Sequence, residues 1–261
     1  MPANTLSNNK GSAKYFKLKK FEYQKQVGQR AFPVKEPAFV KYNPETKQEE
    51  FISDSFGGEL VKVSIGEPKV FTSKKTGQDF VSQDVFFELH SVDRDGFLTR
   101  EVVVVSRNSS LLETLVAKLV KVENFKWVDI RVGQFIPKGQ SNYVDYLTVM
   151  QNGIKLPSMI GVNNPNYPLP EGAIVLPPKV FLDIKKKTVD PITKKSVSVE
   201  SKQIDTDWVT QKDEIYDQCL EVLIANVAKY VEANPRPIAP LPEGVSEMPD
   251  LEDAINVIMP F

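Results

Sequence analysis

Within residues 56–152 runs of apolar and polar side chains alternate with a two-residue period, the spacing of strands that bury one face, on either side of one helical stretch. Residues 60–65 (LVKVSI) open the pattern and Gly66 interrupts it. Residues 67–71 (EPKVF) then resume it. A glycine within a strand marks a bulge or a sharp bend, so one long strand is expected to turn here and serve two sides of a barrel. After turn-forming residues 72–78, the stretch 79–91 places Val81, Val85, Phe87 and Leu89 on one face, with Phe80, Ser82, Asp84, Phe86 and Glu88 on the other. Asp93–Gly96 reads as a hairpin turn, and a third strand follows at 97–106 with four consecutive valines.

The period then changes. From Ser110 to about Val122, Leu111, Leu112, Leu115, Val116, Leu119 and Val120 form a helical stripe that Asn108 or Ser109 can cap. A fourth strand is expected at 126–136 and a fifth at 143–151, joined by residues 137–142. Upstream, 39–51 reads as a hairpin around Asn43-Pro44. Downstream, a proline-broken connector (155–172) leads to an extended pair at 174–189 and 196–204, with lysines 185, 186, 187, 194 and 195 around its tip. Such a tip either is a solvated hairpin end whose charges prevent edge pairing, or is a finger that extends a phosphate-contacting surface. Residues 210–233 have the clearest helical period: Thr210 is the expected cap, and Ile215, Cys219, Val222, Leu223, Val227 and Val231 form a stripe. That stripe must pack on the barrel or against the same helix of a second subunit, so a homodimer is one open arrangement.

Strand, strand, strand, helix, strand, strand is the order of the OB-fold, and this block resembles that family. The expected fold is therefore mainly β: a five-stranded OB-fold barrel with a helix between strands 3 and 4, plus an added β-hairpin and a C-terminal helix. Four regions follow: a basic N-terminal arm and hairpin (1–55), the core (56–152), a connector, hairpin and helix (153–233), and a disordered acidic tail (234–261). OB-folds bind oligonucleotides on the strand 2–3 face and the loops joining strands 1–2 and 4–5. Here Lys74 and Lys75 fall in the first loop and Lys138 in the second. Lys62, Phe80, Phe86, Arg100, Trp127, Arg131, Phe135 and Tyr143 lie alternate to the core or beside those loops. Cations following phosphates and rings stacking on bases, at roughly 1–3 kcal/mol per base, hold a single strand in this way. The same rings could instead be the other half of a closed core.

Net charge changes the picture only once it is divided. The whole chain carries a formal −1, yet residues 1–35 contain eight Lys or Arg against Glu22 alone, and residues 237–261 contain five acids and no Lys or Arg. Opposite-sign ends around a neutral middle mark interaction tails. In the basic arm, Lys14, Tyr15, Lys17, Lys19 and Lys20 interleave rings and cations with Phe16, Phe21 and Tyr23. Contact with a single strand, or rings packed on the barrel with lysines outside, both suit that pattern.

The acidic end has prolines at 235, 237, 240, 242, 249 and 260. It closes with the acids Asp250, Glu252 and Asp253, then Ile258-Met259-Pro260-Phe261. This resembles the C-terminus of bacterial single-stranded DNA-binding proteins, which end in acids followed by Ile-Pro-Phe, although residues 254–260 here separate the acids from Phe261. Bacteriophage replication-type single-stranded DNA-binding proteins similarly close an OB-fold chain with acids and a terminal aromatic. The resemblance implies that the tail recruits replication and recombination proteins, the Phe261 ring filling an apolar socket while the acids steer toward basic partners. Docking of the same tail on its own domain is the plainer alternative.

Signals of catalysis are sparse. His90 and Cys219 are each the single residue of their type, too few for zinc sites of the usual kind within one chain, and no phosphate-binding or dinucleotide-binding glycine loop occurs. Carboxylate-only metal chemistry has Asp79, Asp84 and Glu88 as its nearest residues, but parity divides Asp79 from Glu88. No enzyme activity, metal or cofactor is expected. One cysteine, no cleavable signal and no apolar run long enough to span a bilayer lead to the expectation of a cytoplasmic protein, in the host cytoplasm if viral, with no membrane partner. The expected function is sequence-tolerant coating and protection of single-stranded DNA in phage replication, recombination or repair. A virion or assembly protein that uses the barrel for protein contacts, and an RNA-binding OB protein, are the alternatives.

Overall fold

The computed structural model describes residues 13–27, 30–72, 77–92, 98–139, 142–189 and 196–235. In chain order the elements are β1 (Lys14–Val27), β2 (Arg30–Asn43), β3 (Gln48–Ser53), β4 (Ser55–Ile65), β5 (Lys69–Thr72), β6 (Asp79–Ser82), β7 (Asp84–Val92), β8 (Leu98–Ser106), α1 (Ser110–Leu119), β9 (Val128–Phe135), β10 (Val144–Gln151), β11 (Ile154–Lys155), β12 (Ile160–Val162), β13 (Ile174–Leu176), β14 (Phe181–Val189), β15 (Ser196–Ile204) and α2 (Thr206–Ala233). The fold is mainly β, with one large mixed sheet in the order β11-β10-β9-β4-β7-β8-β1-β2-β3 and two-stranded sheets β5–β6, β12–β13 and β14–β15.

Alternation builds the core as the sequence predicts. In β4, Phe56, Leu60 and Val63 point inward; a register shift between Leu60 and Lys62 absorbs Val61 and keeps Leu60 and Val63 on the same side. Val85, Phe87 and Leu89 of β7, Val103 and Val105 of β8, Val128, Ile130 and Val132 of β9, and Leu147 and Val149 of β10 join them. Gly58 sits where β4 crosses β7 so closely that a Cβ there would stand 2.8 Å from the His90 carbonyl oxygen. The four valines of β8 are buried on both faces, because Val102 and Val104 meet Phe86, Ala13 and Tyr15 on the outer side.

Helix α1 fills the inside of the curved sheet with Leu112, Leu115, Val116 and Leu119, and the Ser109 side chain caps it by accepting from Leu111 N. Helix α2 begins four residues before the expected Thr210, because Asp205 caps it and the Trp208 indole N–H anchors it to the Pro177 carbonyl at 2.9 Å. Its stripe packs on this chain's own core through Cys219, Leu220, Leu223 and Val227, while Tyr230 donates to Glu59 at 2.9 Å. Val222, expected in the stripe, is exposed.

The expected closed five-strand barrel is not found. The ladder β10-β9-β4-β7-β8 runs as five neighbours, but the free edge of β8 takes β1, in parallel, at Lys14–Lys17 against Glu101–Val104, rather than β10. The arm can do this because Phe16 and Leu18 supply an inward apolar face that completes the core. The sheet still curls until its ends meet through side chains: Gln134 donates to the Lys35 carbonyl at 2.8 Å and Lys20 pairs with Asp145. A cleft of about 390 Å³, lined in part by Leu18, Ser109, Thr114, Tyr146 and Leu147, remains at that seam. The single strand expected at 79–91 is divided at Gln83 into β6 and β7, and the one expected at 174–189 into β13 and β14; β12, from the connector at 155–172, pairs in parallel with β13. Among the described residues no helix is long and apolar enough to cross a membrane.

Candidate nucleic-acid interface

Strands β9 and β10 turn their polar alternates outward, and with them several rings. Trp127 (48% exposed), Phe135 (49%) and Tyr143 (66%) lie on or beside this face, with Arg131 and Lys138 also exposed. The Trp127 indole lies over Gly57, 3.4 Å from the place a Cβ would occupy, so the glycine makes the seat for the ring. Tyr146 does the same over Gly133, its ring 6.2 Å from that of Phe135. Tyr146 was not among the residues expected to bind. Its alternation with Leu147 and Val149 was the available signal. Arg131 is tied to Asp129 by two hydrogen bonds of 2.6 and 2.8 Å, which orient its guanidinium and offset part of its charge.

A second ring pair lies on the ribbon formed by β5 and β6. Phe71 and Phe80 face each other across the two strands, stacked at 5.6 Å, with Phe80 52% exposed. Val70 and Val81 pair on the opposite face and are also exposed. Lys74 and Lys75, expected in the connecting loop, lie outside the described residues.

The outer face of β7 and β8 is less open. Phe86 is only 8% exposed, its ring covered within the cluster that includes Tyr15, so it does not stand as a free stacking surface. Beside it, Glu88 accepts from His90 Nε2 at 2.7 Å and from Arg100 Nε and Nη2 at 3.1 and 3.0 Å. Burial pushes the Glu88 carboxyl upward, but the His90 hydrogen bond and the Arg100 charge outweigh it and hold the group at about 2. Arg100 is thus engaged with an acid, while Lys62, opposite Glu88 in the ladder, is exposed. The Tyr15 hydroxyl is pushed up by burial and by the Glu88 charge.

Both roles open to the basic arm are represented. Phe16 and Leu18 enter the core and Tyr15 covers Phe86, whereas Lys14 and Lys20 are exposed and Lys17 and Lys19 half-buried. Lys19 pairs with Glu49 and Lys20 with Asp145. On the β14–β15 hairpin, Lys185 is exposed, and the side chains of Lys186 and Lys187 and residues 190–195 lie outside the description. So does the whole tail from residue 236, with Asp250, Glu252, Asp253, Ile258, Met259, Pro260 and Phe261. The carboxylates Asp79, Asp84 and Glu88 form no metal-holding cluster; among the described residues there is no group of three or more His, Cys, Asp or Glu that could hold one.

Chemically, exposed rings, two of them seated on glycines, together with the exposed Arg131 of β9 and Lys138 of the loop that follows it, offer stacking surfaces and positive charge on one stretch of chain. No protein-family model, curated protein or solved structure matches this chain.

Proposed function

We propose that this chain is a non-catalytic single-stranded DNA-binding protein of the bacteriophage replication type. In this reading an OB-fold core holds the unpaired strand, protecting it during replication and recombination, and the C-terminal tail recruits replication proteins. One observation carries it: Trp127, Phe135, Tyr143 and Phe80 are each about half-exposed or more exposed, on outward strand faces and adjoining loops, with Arg131 and Lys138 exposed on the strand of Phe135 and the loop that follows it. Large rings exposed beside cations are the surfaces on which bases stack while phosphates are followed. Supporting it, five consecutive neighbours in the sheet, β10-β9-β4-β7-β8, carry α1 between their third and fourth strands in chain order, the element order expected of an OB-fold core, although the β8 edge takes β1 where a closed barrel would join β10. Strand contact through ring faces and phosphates is tolerant of sequence.

Fluorescence titration with oligothymidylate tests the reading. Trp127 is exposed and Trp208 buried, so quenching on binding reports Trp127. Measured by anisotropy of end-labelled oligothymidylate, which needs no tryptophan, Trp127→Ala, Phe135→Ala and Tyr143→Ala are each expected to weaken binding by roughly 1–3 kcal/mol. Absence of any retention on single-stranded DNA at low salt would leave the assembly-protein alternative; equal or tighter binding of the same sequence as RNA would favour an RNA-binding role.

A further inference from the structure

The ribbon that carries Phe71 and Phe80 leaves the sheet where both of its strands are broken. On one side lies Gly66, after β4; on the other Gln83, before β7. Gly66 N donates to the Asp84 carbonyl at 2.9 Å, and Gln83 Nε2 donates to the Gly66 carbonyl at 2.8 Å. There is little slack: a Cβ at Gly66 would come within 2.7 Å of the Phe86 ring. Pro68, the last residue before β5, has no N–H with which to continue the ladder.

Gln83 is also held from outside the ribbon, by Arg107 at the end of β8. Arg107 N donates to the Gln83 carbonyl at 2.7 Å, and its Nη1 donates to Gln83 Oε1. The same guanidinium then reaches the long helix, Nε donating to Asp217 Oδ1 at 3.2 Å and Nη2 pairing with Oδ2 at 2.9 Å. Arg107 and Asp217 both line a cleft of about 380 Å³ between α1 and α2. A two-stranded ribbon is marginal by itself and does not fix its own direction. A planar guanidinium with five donors can hold two acceptors on different elements at once; an ammonium, a point charge, does so poorly.

We infer that Arg107 is a positioning residue. It sets the angle of the β5–β6 ribbon by tying the hinge at Gln83 to Asp217 of α2, and so decides where Phe71 and Phe80 stand relative to the rings of β9 and β10. The consequence for DNA rests on the function proposed above; the mechanical link does not. The hydrogen bonds and ion pair of Asp217 go to Arg107, not to the ribbon, and as a partly exposed ion-pair partner it adds little to stability. An effect of Asp217 on the ribbon would therefore have to pass through Arg107.

The test uses the full chain, with hydrogen exchange read by mass spectrometry and oligothymidylate affinity measured in parallel. Asp217→Ala and Arg107→Met are both expected to speed exchange across residues 66–84 while residues 112–119 of α1 and the thermal midpoint stay as in the wild type. Both should weaken oligothymidylate binding by about five-fold, the lower end of ordinary coupling between sites. Arg107→Lys should not restore slow exchange. Unchanged exchange across 66–84 in Asp217→Ala would overturn the inference, as would faster exchange spread equally through α1, which marks general loosening. If the wild-type chain binds no DNA, the proposed function falls, and the exchange comparison still decides the link.

Discussion

Glu88 is the most heavily engaged acid on the outer face of β7 and β8, and its state gives that face a pH dependence. Its ordinary value of 4.5 is lowered to about 2 in the folded chain. A depressed carboxyl favours the folded state while it is ionised in both states. That contribution is present in full above 4.5 and disappears as pH falls through about 2. The wild type is expected to lose stability across that window. Glu88→Gln, which takes the charged acceptor from Arg100 and His90, should be less stable at neutral pH by about 1–3 kcal/mol. It should also show a shallower decline across the same window. Urea unfolding at neutral pH and at about pH 3 checks both points. Parity in the sequence put Phe86, Glu88 and Arg100 outside the main core. That Tyr15 would cover Phe86, and that Glu88 would hold Arg100, depended on β1 arriving beside β8, some eighty residues away in the chain, and no local pattern encodes it.

Strands and helices were legible where their reason for forming is local. The cap at Ser109, the stripe of α1 and the alternation of β7, β9 and β10 all depend on neighbours a few residues apart. The break at Gln83 left one local trace, a polar residue on the face that Val81, Val85 and Phe87 share, but the break itself is made by hydrogen bonds to Gly66 and Arg107, which no local pattern encodes. Nor was the early start of α2, since the bond between Trp208 and Pro177 joins segments 31 residues apart. The stripe of α2 had two destinations in the sequence, and the core of its own chain is the one it takes. Leu223, fully buried there, is the residue on which this docking is most easily tested. Leu223→Ala is expected to destabilise the chain by about 2–5 kcal/mol, from lost transfer energy and the cavity left behind. Thermal or urea unfolding measures it, and a change near zero would mean that α2 is not part of the cooperative core.

Across the whole molecule, the nine-stranded sheet curls until Gln134 meets the Lys35 carbonyl and Lys20 meets Asp145, so one cation of the basic arm is matched by an acid at the seam. Lys14, Lys62, Lys138 and Lys185 remain exposed. If they follow phosphates as proposed, affinity for single-stranded DNA should fall with salt at a log-log slope of about −0.7 for each phosphate neutralised. A flat response between about 50 and 500 mM salt would remove electrostatics from the proposed interface. A chain without residues 250–261 should keep or gain DNA affinity and lose recruitment of replication proteins, which a pull-down alongside the titration reads. If that truncated chain fails to fold, the tail is structural. From the residues alone came the β-rich character, the helix between the third and fourth strands of the ladder, the long amphipathic helix and the opposite charge of the two ends, because periodicity and charge are properties of short stretches. Folding in three dimensions decided that β1 would occupy the edge of β8, that Phe86 would be covered while Trp127, Phe135 and Tyr143 stay exposed, and that Arg107 would join a strand hinge to α2. Each of those outcomes depends on which distant surfaces exclude water together, and only the assembled chain brings those surfaces into contact.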